Sequence, residues 1–319
     1  MRKIKKKYIF LTIVLAGLVS LCLVRWHAWF DMPPEPEWDG PTRDYVFPNV
    51  SSVYTPDAPE RDLTILVLGD IHSNLKLADY NKLAKFVPHI DAIAQTGDWM
   101  EWGQNYYYQL LIQEWLPSNL HGKPVIVCPG NHEYTKGLFK KRSEIWDHAF
   151  PHPDNGPAGV PGASYYVDMP GIRFIIIDTN PLWRLVHFTR ELTWVKQSMQ
   201  EAGDRFVVVM MHHPVISAAK GRFNPMVYTF FRHALSDADL VLAGHDHSYM
   251  RRTPFVILNT GGKLKKQRGS LHAQASDTVP VYGVINIQAE TPNQPSRMDF
   301  RVFRLDNGSI IDSLHVNHD

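Results

Sequence analysis

Five short apolar runs in this chain each end in side chains of metal-binding type. Leu-Val-Leu runs into Gly69-Asp70-Ile71-His72, Ala-Ile-Ala-Gln-Thr into Gly97-Asp98-Trp99, and Val-Ile-Val-Cys-Pro into Gly130-Asn131-His132-Glu133. Val-Val-Val-Met-Met leads to His212-His213-Pro214, and Leu-Val-Leu-Ala to Gly244-His245-Asp246-His247. One buried histidine is ordinarily a satisfied core residue; five such coincidences at five strand ends call for a common cause. Asp, His and Asn donors without thiolates suit Mn²⁺, Fe²⁺ or Zn²⁺ better than Cu(I) or an iron–sulfur cluster. Two cations held close together need a shared anion, so a ligand set of this size divides into two shells around one bridging aspartate. Such a pair clamps a phosphoryl group and ionises a water lying between the metals; zinc alone brings bound water to a pKa of about 7.

The elements that must position these residues are legible as apolar runs alternating with amphipathic stretches. Strands are expected over 63–68, 92–95, 124–127, 172–177, 206–211 and 240–242, and helices over 76–86, 104–115, 138–149, 191–202 and 225–236. Runs around 255–258, 281–287, 299–304 and 310–316 read as further strands, with turns such as Asp306-Asn307-Gly308 between them. Continuous apolar strands separated by helices indicate a layered α/β architecture, whose chemistry collects at the carboxyl ends of the strands. At 319 residues, 44% hydrophobic and 20% charged, the chain can bury one large α/β domain and is too apolar to be disordered. Balanced charge (33 Lys+Arg against 32 Asp+Glu) lacks the basic excess of a general nucleic-acid binder. Two cysteines, Cys22 and Cys128, exclude a disulfide framework or a zinc finger.

The first residues read as a separate unit. Residues 1–7 carry Arg2, Lys3, Lys5, Lys6 and Lys7 and no acid, and residues 8–24 carry no charge at all. As a helix that run spans about 25 Å, enough for a slightly short membrane span or a long signal-peptide core. Its end, Leu21-Cys22-Leu23-Val24, is a poor cleavage site, and Leu21 sits where a lipoprotein needs a small residue. Arg25, Trp26, Trp29 and Phe30 form an interfacial belt. The preferred reading is one N-terminal transmembrane signal anchor over 8–24, with a cleaved signal peptide as the alternative. The positive-inside bias then makes 1–7 a cytoplasmic tail and the cell membrane the location, with the catalytic domain extracytoplasmic. Residues 25–61 include Pro33, Pro34, Pro36, Pro41, Pro48, Pro56 and Pro59 and read as an extended tether. The remainder, 62–319, reads as one domain.

The ordered series D-x-H, G-D, G-N-H-E, H-x-P and G-H-x-H resembles the calcineurin-like metallophosphoesterase family over about residues 62 to 315. Leu192-Thr193-Trp194 and the stretch from Gly244 through Tyr249 to Arg251 look closest to its purple acid phosphatase-like branch. The resemblance implies a four-layer α/β/β/α sandwich, with two mixed β-sheets flanked by helices. It implies that Asp70, His72 and His247 hold the first metal, that Asp98 bridges, and that Asn131, His212 and His245 hold the second. His132 takes the place of the family's catalytic histidine, which stabilises phosphoryl oxygens or protonates the departing alkoxide. The implied activity is hydrolysis of phosphate esters, with two divalent cations (Mn²⁺, Fe²⁺ or Zn²⁺) as cofactors.

One departure matters. The purple branch has D-x-G in the first motif and a ligating tyrosine three residues after the bridging aspartate; here His72 and Glu101 stand at those positions. Without a phenolate ligand, the resemblance implies a divalent pair. His213 is expected to point away or to line the rim within reach of substrate, and Arg251 to meet a substrate phosphate, while Trp99 or Trp102 offers a wall for the substrate. Asp178 ends a strand without an implied metal role. The segment 262–268, with Lys263, Lys265, Lys266 and Arg268, reads as a solvated loop that would steer anions if set near the mouth. A nuclease or a catalytically silent scaffold would use the same frame. Balanced charge and the anchor argue against nucleic acid, and the filled ligand positions argue against a scaffold. The anchor favours a lipid-linked or cell-envelope phosphoester as partner.

Overall fold

Strand β1, Leu63–Leu68, shows how the architecture follows from the sequence. Leu63, Ile65 and Val67 enter one core, while Leu66 and Leu68 face the opposite way into another. A strand points successive side chains to opposite faces, so an unbroken apolar run demands cover on both. The same division recurs in β6 (Phe206–Met211), where Phe206, Val208 and Met210 face the central core and Val207, Val209 and Met211 the outer one. Each such buried side chain stabilises the fold by about 1.5–3 kcal/mol relative to leaving it in water.

In the computed structural model the described residues are 62–99, 120, 123–134, 142, 146, 150, 152–160, 163–180, 187–217, 219, 222, 224–265, 274–288 and 296–317. Their strands form two mixed sheets. The first holds β1, β2 (Ala92–Gln95) and β3 (Val125–Val127) in parallel, continued antiparallel by β11 (Val281–Gln288), β12 (Arg297–Arg304) and β13 (Ile310–Asn317). The second holds β5 (Ile172–Ile177), β6, β7 (Leu240–Ala243) and β9 (Phe255–Ile257) in parallel, flanked antiparallel by β4 (Tyr165–Met169), β8 (Tyr249–Arg252) and β10 (Ala275–Asp277). The central core lies between the sheets. Helix α1 (Leu77–Phe86) packs Tyr80 and Leu83 on the outer face of the first sheet. Helices α2 (Phe188–Gln200) and α3 (Pro225–Phe231) pack Val195, Val227 and Phe231 on the outer face of the second.

Three strands escape the apolar-run criterion: β4, β8 and β10. Strand β8 carries Arg251 and Arg252, and β4 is an edge strand with alternating burial. Helix α2 begins at Phe188, three residues before the expected start, where the Phe188 ring stacks on Phe230 of α3 at 4.4 Å. Helix α3 starts at Pro225, capped by the Asn224 side chain, which accepts from the amides of Met226 and Val227. Among the described residues no helix is long and apolar enough to cross a membrane. The expected anchor, the tether up to residue 61, the helix at 104–115 and nearly all of that at 138–149 lie outside the described residues.

The two sheets are also joined at their edges by charge. Arg251 of β8 donates to both carboxylate oxygens of Asp312 on β13, at 2.6 and 2.9 Å, and Tyr249 donates its hydroxyl to the same carboxylate. Arg251, expected at a substrate phosphate, is therefore engaged by a carboxylate and by Gln274 and Thr253. Burial alone would raise the Asp312 carboxyl, but the hydrogen bonds from Arg251 and Tyr249 hold it below its ordinary value. A depressed carboxyl contributes stability above the unfolded pKa of about 3.9, lost as pH falls through the folded value. Asp312→Asn is expected to lower unfolding stability by about 1–3 kcal/mol at pH 7 in denaturant titrations. The gap to the parent chain should shrink as the pH is taken below about 4.

Candidate metal centre

The ligand-type residues meet where the parallel strands of both sheets end. Asp70 and His72 follow β1, Asp98 follows β2, Asn131 and His132 follow β3, His212 follows β6, and His245 and His247 follow β7. Backbone bonds hold the first two loops against each other, with the Asp70 amide on the Gly97 carbonyl at 3.3 Å and the His72 amide on the Asp98 carbonyl at 3.0 Å. The sheets are tied across the site by the His245 amide, which donates to Asp70 Oδ1 at 2.9 Å.

The backbone here is strained at the candidate ligands themselves. Asp70, His72, Asp98, His245 and His247 all have left-handed φ, between 46° and 69°. They are the only non-glycine residues among those described with positive φ. Each costs about 1–3 kcal/mol and persists only where its surroundings over-determine it. Glycine serves the same purpose at two neighbours: Gly97 has φ 90°, and a Cβ on Gly130 would collide with the Asp98 carboxylate.

Two donor groups result. Asp70, His72, Asp98 and His247 bring ligand atoms within 4.8 Å of one another, and so do His212, His213 and His245. Asp98 Oδ2 lies between them, 3.8 Å from His72 Nε2 and 3.3 Å from His212 Nε2, the latter without hydrogen-bond geometry. Asn131 Oδ1 joins the second group, 3.2 Å from His212 Nε2. Outer contacts set the tautomers. His212 Nδ1 donates to the Thr96 carbonyl at 3.0 Å and His247 Nδ1 to the Lys263 carbonyl at 2.8 Å, which leaves each Nε2 lone pair facing the site. Oxygens Oδ2 of both Asp70 and Asp98 are buried and accept no hydrogen bond from the described residues. Orphaned carboxylate oxygens ringed by imidazole nitrogens are a donor set that divalent cations fit.

Electrostatics points the same way. Burial, with repulsion from Asp98, pushes the Asp70 carboxyl up. Asp98 is pushed up by burial too, but the imidazoles of His212, His132 and His72 hold it well below its usual range. His212 is raised to about 9 because Asp98 and Asp70 outweigh its burial. Burial, reinforced by His213 and His212, lowers His245, and burial brings His247 to about 4. Two buried carboxylates and several imidazoles compete here for a few protons, a demand that divalent charge answers more fully.

The other expected residues separate. His132 stands beside Asp98, with Nε2 3.8 Å from Oδ2 and its ring edge-on to His72 at 4.6 Å, outside both donor groups. His213 is not turned away: its ring lies 4.5 Å from His245, and Nδ1 sits 2.8 Å from Thr179 Oγ1. Trp99 is buried against Phe150 in the outer core, so it builds no wall; Glu101 and Trp102 lie outside the described residues. Asp178 accepts from the Tyr134 hydroxyl at 2.5 Å and from Asn180, whose amide also reaches the Pro129 carbonyl. It thereby braces the loop carrying Asn131.

Two residues with no role assigned from sequence complete the site. Glu133, fully buried, accepts the amides of Asp98 (2.9 Å), Trp99 (2.8 Å) and Gly130 (2.5 Å). Its place in G-N-H-E was visible in sequence, but its partners 34 and 35 residues away were not. Arg222 donates to the His245 carbonyl, and its charge acts on Asp70, His132, His245 and His247. No sequence signal marked this loop arginine.

The calcineurin-like phosphoesterase family profile matches residues 63–249. No curated protein sequence matches the chain. Among solved structures, purple acid phosphatase PPD1 from yellow lupin seeds shares 14% identity at a TM-score of 0.60, over 82% of this chain and 55% of that one. The chain thus spans little more than half the length of the lupin protein. GAP50, described as the anchor in the inner membrane complex of Plasmodium, shares 13% identity at 0.57, over 82% of this chain and 90% of that one. PhoD shares 12% at 0.53, over 82% and 70%. These likenesses are of fold.

Glu133→Gln keeps the shape but replaces one acceptor oxygen by an NH₂ that faces backbone amides. Metal affinity, read by titration of the purified chain, is expected to fall about 10–100-fold, as for other groups that orient ligands from behind. Unchanged affinity would remove Glu133 from the site's support.

Proposed function

The chain belongs to the calcineurin-like phosphoesterase family, and from that premise we propose that it is a membrane-anchored phosphatase that uses two divalent cations to hydrolyse phosphate esters. The observation that carries this reading is a full donor set around Asp98 with a histidine, His132, beside it and outside both donor groups. Asp70, His72 and His247 would hold one cation, Asn131, His212 and His245 the other, with Asp98 shared. When bound, such a pair supplies Lewis-acid polarisation of the phosphoryl group and a nucleophile available at neutral pH.

The chain's own residues do the rest. Asp98 Oδ1 accepts the His132 amide at 2.9 Å, so the bridging carboxylate itself positions His132. The His132 side chain reaches solvent, and burial lowers its ring to about 4. At neutral pH it is an uncharged imidazole that still donates one N–H, suited to a phosphoryl oxygen as charge builds there. The uncharged run at 8–24 behind a lysine-rich start supports anchoring in a membrane, with the domain outside the cytoplasm.

Two substitutions test the assignment. Asp98→Asn removes the negative charge shared between the cations. At least one metal should be lost by elemental analysis, and turnover should drop about 10³-fold or more. Both metals retained at near-normal turnover would sink the dinuclear reading.

His132→Ala should keep the metal content and lower kcat about 10²–10⁴-fold on an alkyl phosphate. Comparable loss on p-nitrophenyl phosphate, whose leaving group needs no proton, identifies stabilisation of phosphoryl charge; a much smaller loss identifies an acid. Loss of metal would move His132 into the ligand set. A panel of monoesters, bis-p-nitrophenyl phosphate and DNA separates phosphatase from nuclease. Substoichiometric metal without turnover of any of them would favour a scaffold.

A further inference from the structure

Beyond β9 the chain turns back against the site. Asn259 Nδ2 donates to the Gly262 carbonyl at 3.0 Å, the Lys263 carbonyl accepts from His247 Nδ1 at 2.8 Å, and the Lys265 amide donates to the His247 carbonyl at 3.1 Å. Gly262 is packed so closely that a Cβ there would come within 2.9 Å of His247 Nδ1. Residues 262–265 are thus fastened to a candidate ligand, and the two contacts with His247 are made by their backbone atoms. Their side chains do something else: Lys263, Leu264 and Lys265 all stand in water.

Leu264 is 40% exposed, one of three large apolar side chains so exposed among the described residues. The other two, Phe230 and Ile310, have no cation at an adjacent position. Among the described residues, 263–265 is where an exposed aliphatic side chain is flanked in sequence by two lysines, and this is beside the candidate chemistry. Resting on the phosphoesterase reading, we infer that residues 263–265 dock an anionic lipid headgroup, so that the substrate is a phosphomonoester presented at a membrane surface. Lysines attract the anionic surface, and a leucine enters the headgroup–acyl boundary, where it escapes water. A nucleic-acid site would pair the cations with aromatic rings on which bases stack, and here the apolar member is aliphatic. The sequence at 8–24, about 25 Å long as a helix, and the proline-rich tether to residue 61 would hold the domain within reach of such a surface.

The test uses the full chain in neutral-detergent mixed micelles with added divalent metal, with phosphatidic acid as the lipid phosphomonoester and p-nitrophenyl phosphate as the soluble one. An L264S/K265Q variant spares Lys263, whose carbonyl holds the His247 ring, and changes only side chains that face water. A lysine near an anionic surface is worth about a fivefold factor and a leucine withdrawn from water about tenfold, so kcat/KM on phosphatidic acid should fall about 50-fold. Activity on p-nitrophenyl phosphate should stay within about twofold. An undiminished rate on phosphatidic acid overturns the proposal. So does a parallel loss on both substrates, which would mean the loop acts through His247. Loss of duplex DNA binding in the variant, with lipid turnover intact, would reassign the patch to nucleic acid. Failure of the parent chain to turn over p-nitrophenyl phosphate would sink the phosphoesterase reading instead. Binding to micelles with and without phosphatidic acid, parent against variant, would then still decide the docking patch.

Discussion

A carboxylate taken out of water and shared between two groups of imidazoles cannot hold itself in place, and most of the site exists to hold Asp98. Its amide and those of Trp99 and Gly130 are gathered by Glu133, its Oδ1 accepts the His132 amide, and its carbonyl accepts the His72 amide. Burying an ionised group without such partners costs several kcal/mol per ion. Oδ2 is the exception among its polar atoms, and it is the one turned between the two donor groups. The same oxygen that makes the residue costly to bury makes it useful.

The backbone conformation at the ligands follows from crowding them. To bring side chains from five strand ends to one point, the chain turns sharply just beyond three of them, β1, β2 and β7. Asp70, His72, Asp98, His245 and His247 do so in left-handed conformations that Asp, Asn and His tolerate better than most residues. The strain is offset by the three cores beneath, where β1, β6 and β7 bury side chains on both faces. A rigid sandwich and a strained rim belong together: the close-packed core is what lets the rim stay in conformations it would otherwise leave.

Two sheets are needed because neither carries enough donors. The first sheet supplies Asp70, His72, Asp98 and Asn131, the second His212, His245 and His247. Contacts that cross between them, such as His245 to Asp70 and His212 to the Thr96 carbonyl, therefore set the geometry of the centre. The ion pair of Arg251 with Asp312 fastens the same two layers at their other edge. A charged residue placed by sequence near the substrate thus turns out to serve the frame.

The residue types and their order were enough to read the family and the parallel strands, and to pick out most of the side chains that the fold gathers into two candidate donor groups. Each of these is a local property: an apolar run has its period, and a ligand motif has its spacing. Boundaries at α2, and the strands β4 and β8, were lost because their signals are tertiary: Phe188 is held by a ring 42 residues away, and β8 is polar because its arginine meets β13. Only the fold decided that Glu133 gathers three amides, that Arg222 reaches His245, that Trp99 is core and that His213 stands within the second donor group. The difference has one physical cause. Chemistry is written in side-chain type, which sequence displays residue by residue. Whether a given side chain is buried, braced or exposed depends on which distant segments the two sheets bring against it.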